Sequence, residues 1–159
     1  MASGFTNWDS DKGTLRAGTI YRASSSNDKV WGEENNTTTD LPYGVFVAVN
    51  PDGGIKPISA ATDVIHGIVV RDIYGDKAPH NKQVNVGHFS HGDCVGVATA
   101  KDQIFKRGDK VYVVATGDDV GKVSKTATGN IDLGYWVENV SSGSQCVAIT
   151  LGFIQKVGE

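Results

Sequence analysis

From Leu41 onward, apolar and polar positions alternate with a period of two, the spacing of a strand with one covered face. In Tyr43–Asn50, Val45, Val47 and Val49 share a face, and Pro51-Asp52-Gly53-Gly54 reads as the turn that ends it. Ile55–Ile58 answers as a short return strand, with Pro57 suiting an edge. Asp63–Asp72 carries Val64, Ile65, Ile68, Val69 and Val70, apolar on both sides, and reads as a central strand covered twice. Gln83–Phe89 alternates through Val84 and Val86. Cys94–Ala100 sets Val95, Val97 and Thr99 against a face of small residues, Cys94, Gly96, Ala98 and Ala100. Such a face lets a second layer approach closely, within the domain or from another copy. Lys110–Thr116, Gly121–Thr126, Ile131–Asn139 and Gln145–Ile154 complete about eight or nine strands, with a turn signal roughly every 8 to 12 residues. The expected core is Val45, Val47, Val49, Ile65, Ile68, Val70, Val84, Val86, Val95, Val97, Val111, Val113, Leu133, Val137, Val147, Ile149 and Leu151. The fold class this implies is all-β: a small antiparallel β-barrel or sandwich spanning residues 41–159.

Residues 1–40 follow no such period. Ser24, Ser25, Ser26, Asn27 and Asp28, then Glu33 to Asn36 and three threonines, make this stretch polar, yet Phe5, Trp8, Leu15, Ile20, Tyr21, Val30 and Trp31 are spaced along it. Solvated tails are poor in aromatics. The expectation is an extended N-terminal arm, not needed for folding, whose Phe5, Trp8, Tyr21 and Trp31 anchor in separate pockets of a partner.

Composition sharpens the all-β reading. Twenty Val and 10 Ile stand against 4 Leu and 1 Met, and β-branched side chains favour strands. Gly numbers 20, about twice the usual share, as many turns require. A formal net charge of -3 gives no basic field to gather nucleic acid, and no apolar run reaches the roughly 20 residues of a membrane helix. The polar start lacks a secretory h-region, so synthesis and action from the cytoplasm are expected, with Cys94 and Cys146 reduced.

Candidate chemistry is sparse. His88, His91, Asp93 and Cys94 lie within seven residues, with His66 and His80 elsewhere, but no second ligand pair has metal spacing. The plainer assignment is a core-facing imidazole at His88, continuing the Val84 and Val86 face, and a turn histidine at His91. Cys94 has no oriented base to make it a nucleophile. Arg107-Gly108-Asp109 spells an adhesion tripeptide but fits a hairpin turn between Phe105 and Val111. Asn35, Asn36 and Asn139 begin glycosylation sequons that mean nothing without export. No Gly-rich phosphate loop precedes a helix, and no Gly-x-Ser-x-Gly elbow occurs. Hence no catalytic residue, metal or cofactor is expected.

The order of motifs after Tyr43 carries a resemblance. Tyr43-Gly44-Val45-Phe46-Val47 precedes a turn and short strand. Ala61-Thr62-Asp63 leads into Gly67-Ile68-Val69-Val70-Arg71-Asp72, a later strand holds Cys94-Val95-Gly96-Val97, and Gly108-Asp109-Lys110-Val111-Tyr112-Val113 follows. Gly134-Tyr135-Trp136-Val137 and Val147-Ala148-Ile149-Thr150-Leu151 close the series. This chain resembles the capsid cement, or decoration, proteins of tailed bacteriophages over about 110 residues. The resemblance implies a structural protein of the virion that is made in the bacterial host. It would bind the major capsid protein on the outer surface of an assembled head, as a homodimer or homotrimer, without catalysis, nucleic acid or membrane. Two other readings compete: a receptor- or glycan-binding module of a tail or fibre, using an exposed Trp136 and turn aspartates, and a metal-dependent small-barrel enzyme using His88, His91 and Cys94.

Overall fold

The structure is a computed structural model that describes residues 15–23, 29–72, 75–140 and 145–151. Among these residues there is no helix, and thirteen short strands make up the fold. Five close into a barrel in the order β2 (Val30–Asn35), β5 (Ile55–Pro57), β4 (Phe46–Val49), β6 (Ile65–Val69), β8 (Lys82–Gly87). Four form an antiparallel sheet in the order β1 (Ile20–Arg22), β9 (Cys94–Ala98), β13 (Cys146–Thr150), β12 (Trp136–Val140). Two-stranded ladders join β3 (Leu41–Pro42) to β7 (Lys77–Ala78) and β10 (Tyr112–Val113) to β11 (Val123–Ser124).

Two covered layers explain why β4 and β6 are apolar on both sides. Neighbouring residues in a strand point to opposite faces. Val47 and Val69 join Val45, Ile55, Val84 and Val86 in one buried cluster contributed by barrel strands. Phe46, Ala48 and Ile68 face the other way and pack with Val95, Val97, Val137, Val147 and Ile149 of the sheet. β6 lies between β4 and β8, the central place expected for it. Of the expected core, Val49 is 39% exposed, and Ile65, Leu133 and Leu151 are half-buried at the rim of the second cluster; the others are buried. One barrel contact, Asn35 against Ile55, is parallel, a departure from the fully antiparallel expectation. It joins the two ends of the barrel ladder, so Pro57 lies past it, where β2 asks for no further hydrogen bond.

The division expected at residue 40 is not one the sheets respect. β2 pairs with β8 over six consecutive residues, from Val30 against Gly87 to Asn35 against Lys82, and closes the barrel. β1 is an edge strand of the sheet, with Ile20 opposite Val95. Leu15 is buried with Cys94, Cys146 and Ala148, and Ala17 and Tyr21 pack against that cluster. Within residues 15–40, then, two segments are integral strands. Their polarity misled because strand pairing satisfies backbone groups whatever the side chains are.

The small-residue face of β9 has its occupant in the same molecule. Gly96 accepts a hydrogen bond from Gly18 N–H (2.8 Å) and donates to Thr19 C=O (2.8 Å). A Cβ at Gly96 would stand 2.4 Å from the Arg16 carbonyl oxygen, so only glycine admits this crossing. Gly18 C=O in turn accepts from Arg71 N–H (2.8 Å), tying the segment to the barrel side as well.

Candidate functional site

Tyr21 and Trp31, two of the four expected anchors, lie in described structure and have different fates; Phe5 and Trp8 lie outside the described residues. Tyr21 packs against the Leu15 cluster, and its hydroxyl oxygen accepts from Arg16 N–H at 2.7 Å. Burial comes first among the causes that push its phenol above the ordinary value. Its ring, half-buried, packs against the chain's own body. Trp31 is 44% exposed on β2.

Trp31 opposes Val86, Glu33 opposes Val84 and Asn35 opposes Lys82. Directly opposed residues share a face, so Trp31, Glu33 and Asn35 lie on the face of β2 that continues the barrel's interior. Exposure falls along that face from Trp31 to the fully buried Asn35, which places Trp31 at the barrel mouth. Asn35 donates to Thr39 C=O (3.1 Å) and Pro79 C=O (3.2 Å), and its side-chain oxygen accepts from the Thr37 hydroxyl (2.6 Å). A sequon asparagine so enclosed cannot carry a glycan in this fold.

At the mouth the indole stacks on His88, with ring centroids 3.6 Å apart and planes 7° from parallel. Its Nε1–H donates to Glu33 Oε1 at 2.8 Å. Glu33 Oε1 also lies 3.1 Å from His66 Nε2, and His66 Nδ1 lies 2.8 Å from His88 Nε2. Burial first, then the neighbouring His66, hold His88 below the ordinary imidazole value. The cluster borders a cleft of about 270 Å³ lined by Phe46, Ile65, Phe89, Leu133 and Tyr135. Sequence reading placed His66 apart from His88. One signal was available: a glycine adjoins each histidine, and a Cβ at Gly67 would meet the Gly87 carbonyl oxygen at 2.5 Å. The bare backbones let β6 and β8 approach closely enough for the rings to meet.

The grouping of His88, His91, Asp93 and Cys94 disperses. Asp93 is buried, pairs with Lys29 and accepts from Ser90 N–H (2.9 Å). His91 is exposed in the turn, whereas Cys94 packs under Leu15. Among the described residues no three metal-ligating side chains converge. Cys94 and Cys146 are buried thiols not joined in a disulfide, and burial pushes each up to about 12. Thr150 opposes Cys94 and Cys146 opposes Ala98, so the thiols sit at opposite ends of one ladder, beyond disulfide reach. Asp109 of the adhesion-like tripeptide accepts from Lys106 N–H (2.8 Å) and pairs with Lys125 (3.0 Å), as a closed turn requires. Trp136 is half-buried under Lys110, with a buried indole nitrogen, which corrects its expected exposure.

A small closed barrel backed by an antiparallel sheet, with ring stacking and ion pairs, defines an all-β protein. A solved chain from "The capsid of Myoviridae Phage XM1" shares the fold: TM-score 0.66, 21% identity, covering 87% of this chain and 90% of that one. No curated protein sequence matches. The family model of the XM1 gp53 minor capsid protein matches residues 5–151, and the chain belongs to that family. It is accordingly a capsid-associated structural protein of a phage virion.

Proposed function

We propose that the protein is a cement, or decoration, protein that binds the major capsid protein on the outer surface of an assembled tailed-phage head and stabilises the shell. Membership in a minor capsid protein family over residues 5–151 carries this reading. The mechanism is linkage. A protein that binds the assembled lattice but not the free subunits stabilises it by RT ln(1 + [L]/Kd) at each site, and a shell repeats that contribution many times. Contacts come from residues 1–14, with Phe5 and Trp8 as anchors, and from the exposed face of Trp31 at the barrel mouth. Losing one tryptophan anchor costs about 2 kcal/mol, about thirtyfold in affinity. On the shell the copies associate as a dimer or trimer around a local symmetry axis. The small-residue face of β9 is not that contact, since residues 15–19 already cross it.

The test is occupancy. Purified protein is added to mature heads that lack it, and bound copies are counted by sedimentation and located by cryo-electron microscopy. Density on the outer surface, with heads that withstand higher temperature, is the expected result. Failure to co-sediment, or density confined to the inner surface or the tail, would overturn the proposal.

A further inference from the structure

The barrel mouth holds a relay in which each hydrogen has one place. Glu33 Oε1 faces Trp31 Nε1–H at 2.8 Å and His66 Nε2 at 3.1 Å. A carboxylate only accepts, so His66 carries its hydrogen on Nε2 and leaves Nδ1 bare. His88 Nε2, 2.8 Å from that bare nitrogen, must then be the donor. This leaves His88 Nδ1 as a bare acceptor, buried and without a partner. With both imidazoles neutral, every hydrogen of the relay has one place.

An added proton is costly wherever it goes. On His88 Nδ1, it charges a ring that burial and the facing His66 keep neutral, on an atom that makes no hydrogen bond in the resting relay. On His66 Nδ1, it meets the His88 Nε2–H head-on, unless His88 moves its hydrogen to that same orphaned Nδ1. Two protons set two cations, with ring centroids 4.8 Å apart, against one carboxylate. Glu33 and the backbone carbonyls of Lys29 and His66 favour a charged His88, but burial and the facing His66 outweigh them. β2 contributes Glu33, β6 contributes His66, and β8 contributes His88 itself. Lys29, whose carbonyl accepts the His88 backbone N–H (2.7 Å), turns its ammonium to Asp93. Tyr135, on the wall of the adjoining cleft, is pushed up to about 12 by burial and stays neutral throughout.

We propose that Trp31, Glu33, His66 and His88 form an acid-sensitive latch, in which neutral imidazoles set the hydrogen-bond order that holds the indole across the barrel mouth and protonation of the pair rearranges it. The latch is a property of the barrel itself and holds whatever Trp31 touches outside the chain.

The test is a nitrogen-15 NMR titration of the full chain from about pH 7.5 to about pH 4.5, across the histidine range. The Trp31 indole signal is assigned by its loss in Trp31→Phe. At the upper pH both rings should show the hydrogen on Nε2. On acidification the Trp31 indole N–H and the two ring signals should move together, with one shared pH dependence. His88→Gln keeps a planar donor toward His66 but does not titrate, and it should reduce the displacement of the Trp31 signal at least threefold. If dichroism shows that His88→Gln does not fold, Glu33→Gln is read instead: removing the acceptor should shift the Trp31 signal at neutral pH and lower the His66 midpoint. A Trp31 signal that stays fixed throughout the wild-type titration, or two rings that titrate independently, would overturn the latch. So would a full Trp31 response in His88→Gln, or a Glu33→Gln variant with unchanged His66 and Trp31 signals.

Discussion

β2 and β13 are both integral strands, yet they share almost nothing in sequence. β13 reads Cys-Val-Ala-Ile-Thr and is buried at every position, because the Phe46–Ile149 cluster covers one face and the Leu15 cluster the other. β2 reads Val-Trp-Gly-Glu-Glu-Asn and buries only Asn35 completely, although six of its residues pair with β8. Hydrophobic pattern reports how many faces of a strand are covered. It is silent on whether the strand's backbone is paired. β13 is held by side-chain burial and β2 by its ladder, one buried amide and a stacked ring, so the two should respond differently to the same kinds of damage.

The largest effect is expected from truncation. Deleting residues 2 to 31 removes β1, the strap across Gly96 and the first two residues of β2, and leaves the Leu15 cluster and the barrel open. The truncated chain should lose its cooperative melting transition by dichroism, whereas deleting residues 2 to 14 should leave the transition in place. A stable barrel from the longer deletion would show that β2 is dispensable and would end the comparison. Next comes side-chain truncation within each strand. Ile149→Ala removes a fully buried side chain between β9 and β12 and should cost about 2–5 kcal/mol in urea unfolding. Trp31→Ala, losing a ring that is 44% exposed, should cost about 1 kcal/mol despite its larger size. Equal costs would mean that the barrel mouth is packed as tightly as the sheet.

The same contrast marks what could be read from the chain. Val45, Val47, Val84, Val86, Val95, Val97, Val147 and Ile149 are core residues found by alternation and by an excess of Val and Ile over Leu. Val49 failed because it lies at the end of β4, where the barrel interior opens to solvent. β1 and β2 escaped because a three-residue edge strand and a polar barrel strand have no period to detect. For the site, the exposure of Trp31 was legible as an aromatic outside any alternating run. Its bond to Glu33 and the meeting of His66 with His88 were not, since they depend on β6 and β2 both flanking β8. Tyr21 looked like a second Trp31, but the glycine at position 96 provides a crossing point that draws its segment onto β9.

Asn35 sharpens the comparison at a finer scale. It is the one fully buried residue of β2, and its amide bonds to the carbonyls of Thr39 and Pro79 and to the Thr37 hydroxyl. Asn35→Ala removes these three hydrogen bonds and empties the buried place of the amide, and it should cost about 1–3 kcal/mol. Asn35→Asp keeps the shape but turns a double donor into an acceptor facing two carbonyl oxygens, and it should be the worse of the two. Thermal melts of both variants check the order. An Asn35→Asp protein as stable as Asn35→Ala would mean that water satisfies the site and that β2 rests on its ladder alone.

The smallest effect is pH dependence, and it should be confined to the barrel mouth. Burial and His66 lower the proton affinity of His88 in the folded state relative to the unfolded chain. The unfolded state therefore binds more protons as pH falls through the histidine range, and stability must fall with it. The contribution of neutral His88 is fully present above about pH 6.5, the unfolded value, declines as pH drops below it, and levels off once the folded ring is protonated. β9 and β13 have no histidine, and their two thiols, pushed up to about 12, do not titrate in this range. Hydrogen-exchange protection, corrected for intrinsic rates, should therefore decline on going from pH 7 to pH 5 at the amides pairing β2 with β8. It should stay level between β9 and β13. In His88→Gln the two ladders should behave alike. A decline shared equally by both ladders in the wild-type protein would instead mean that acid acts on global unfolding, with no separate weakness at the strand held by its ladder.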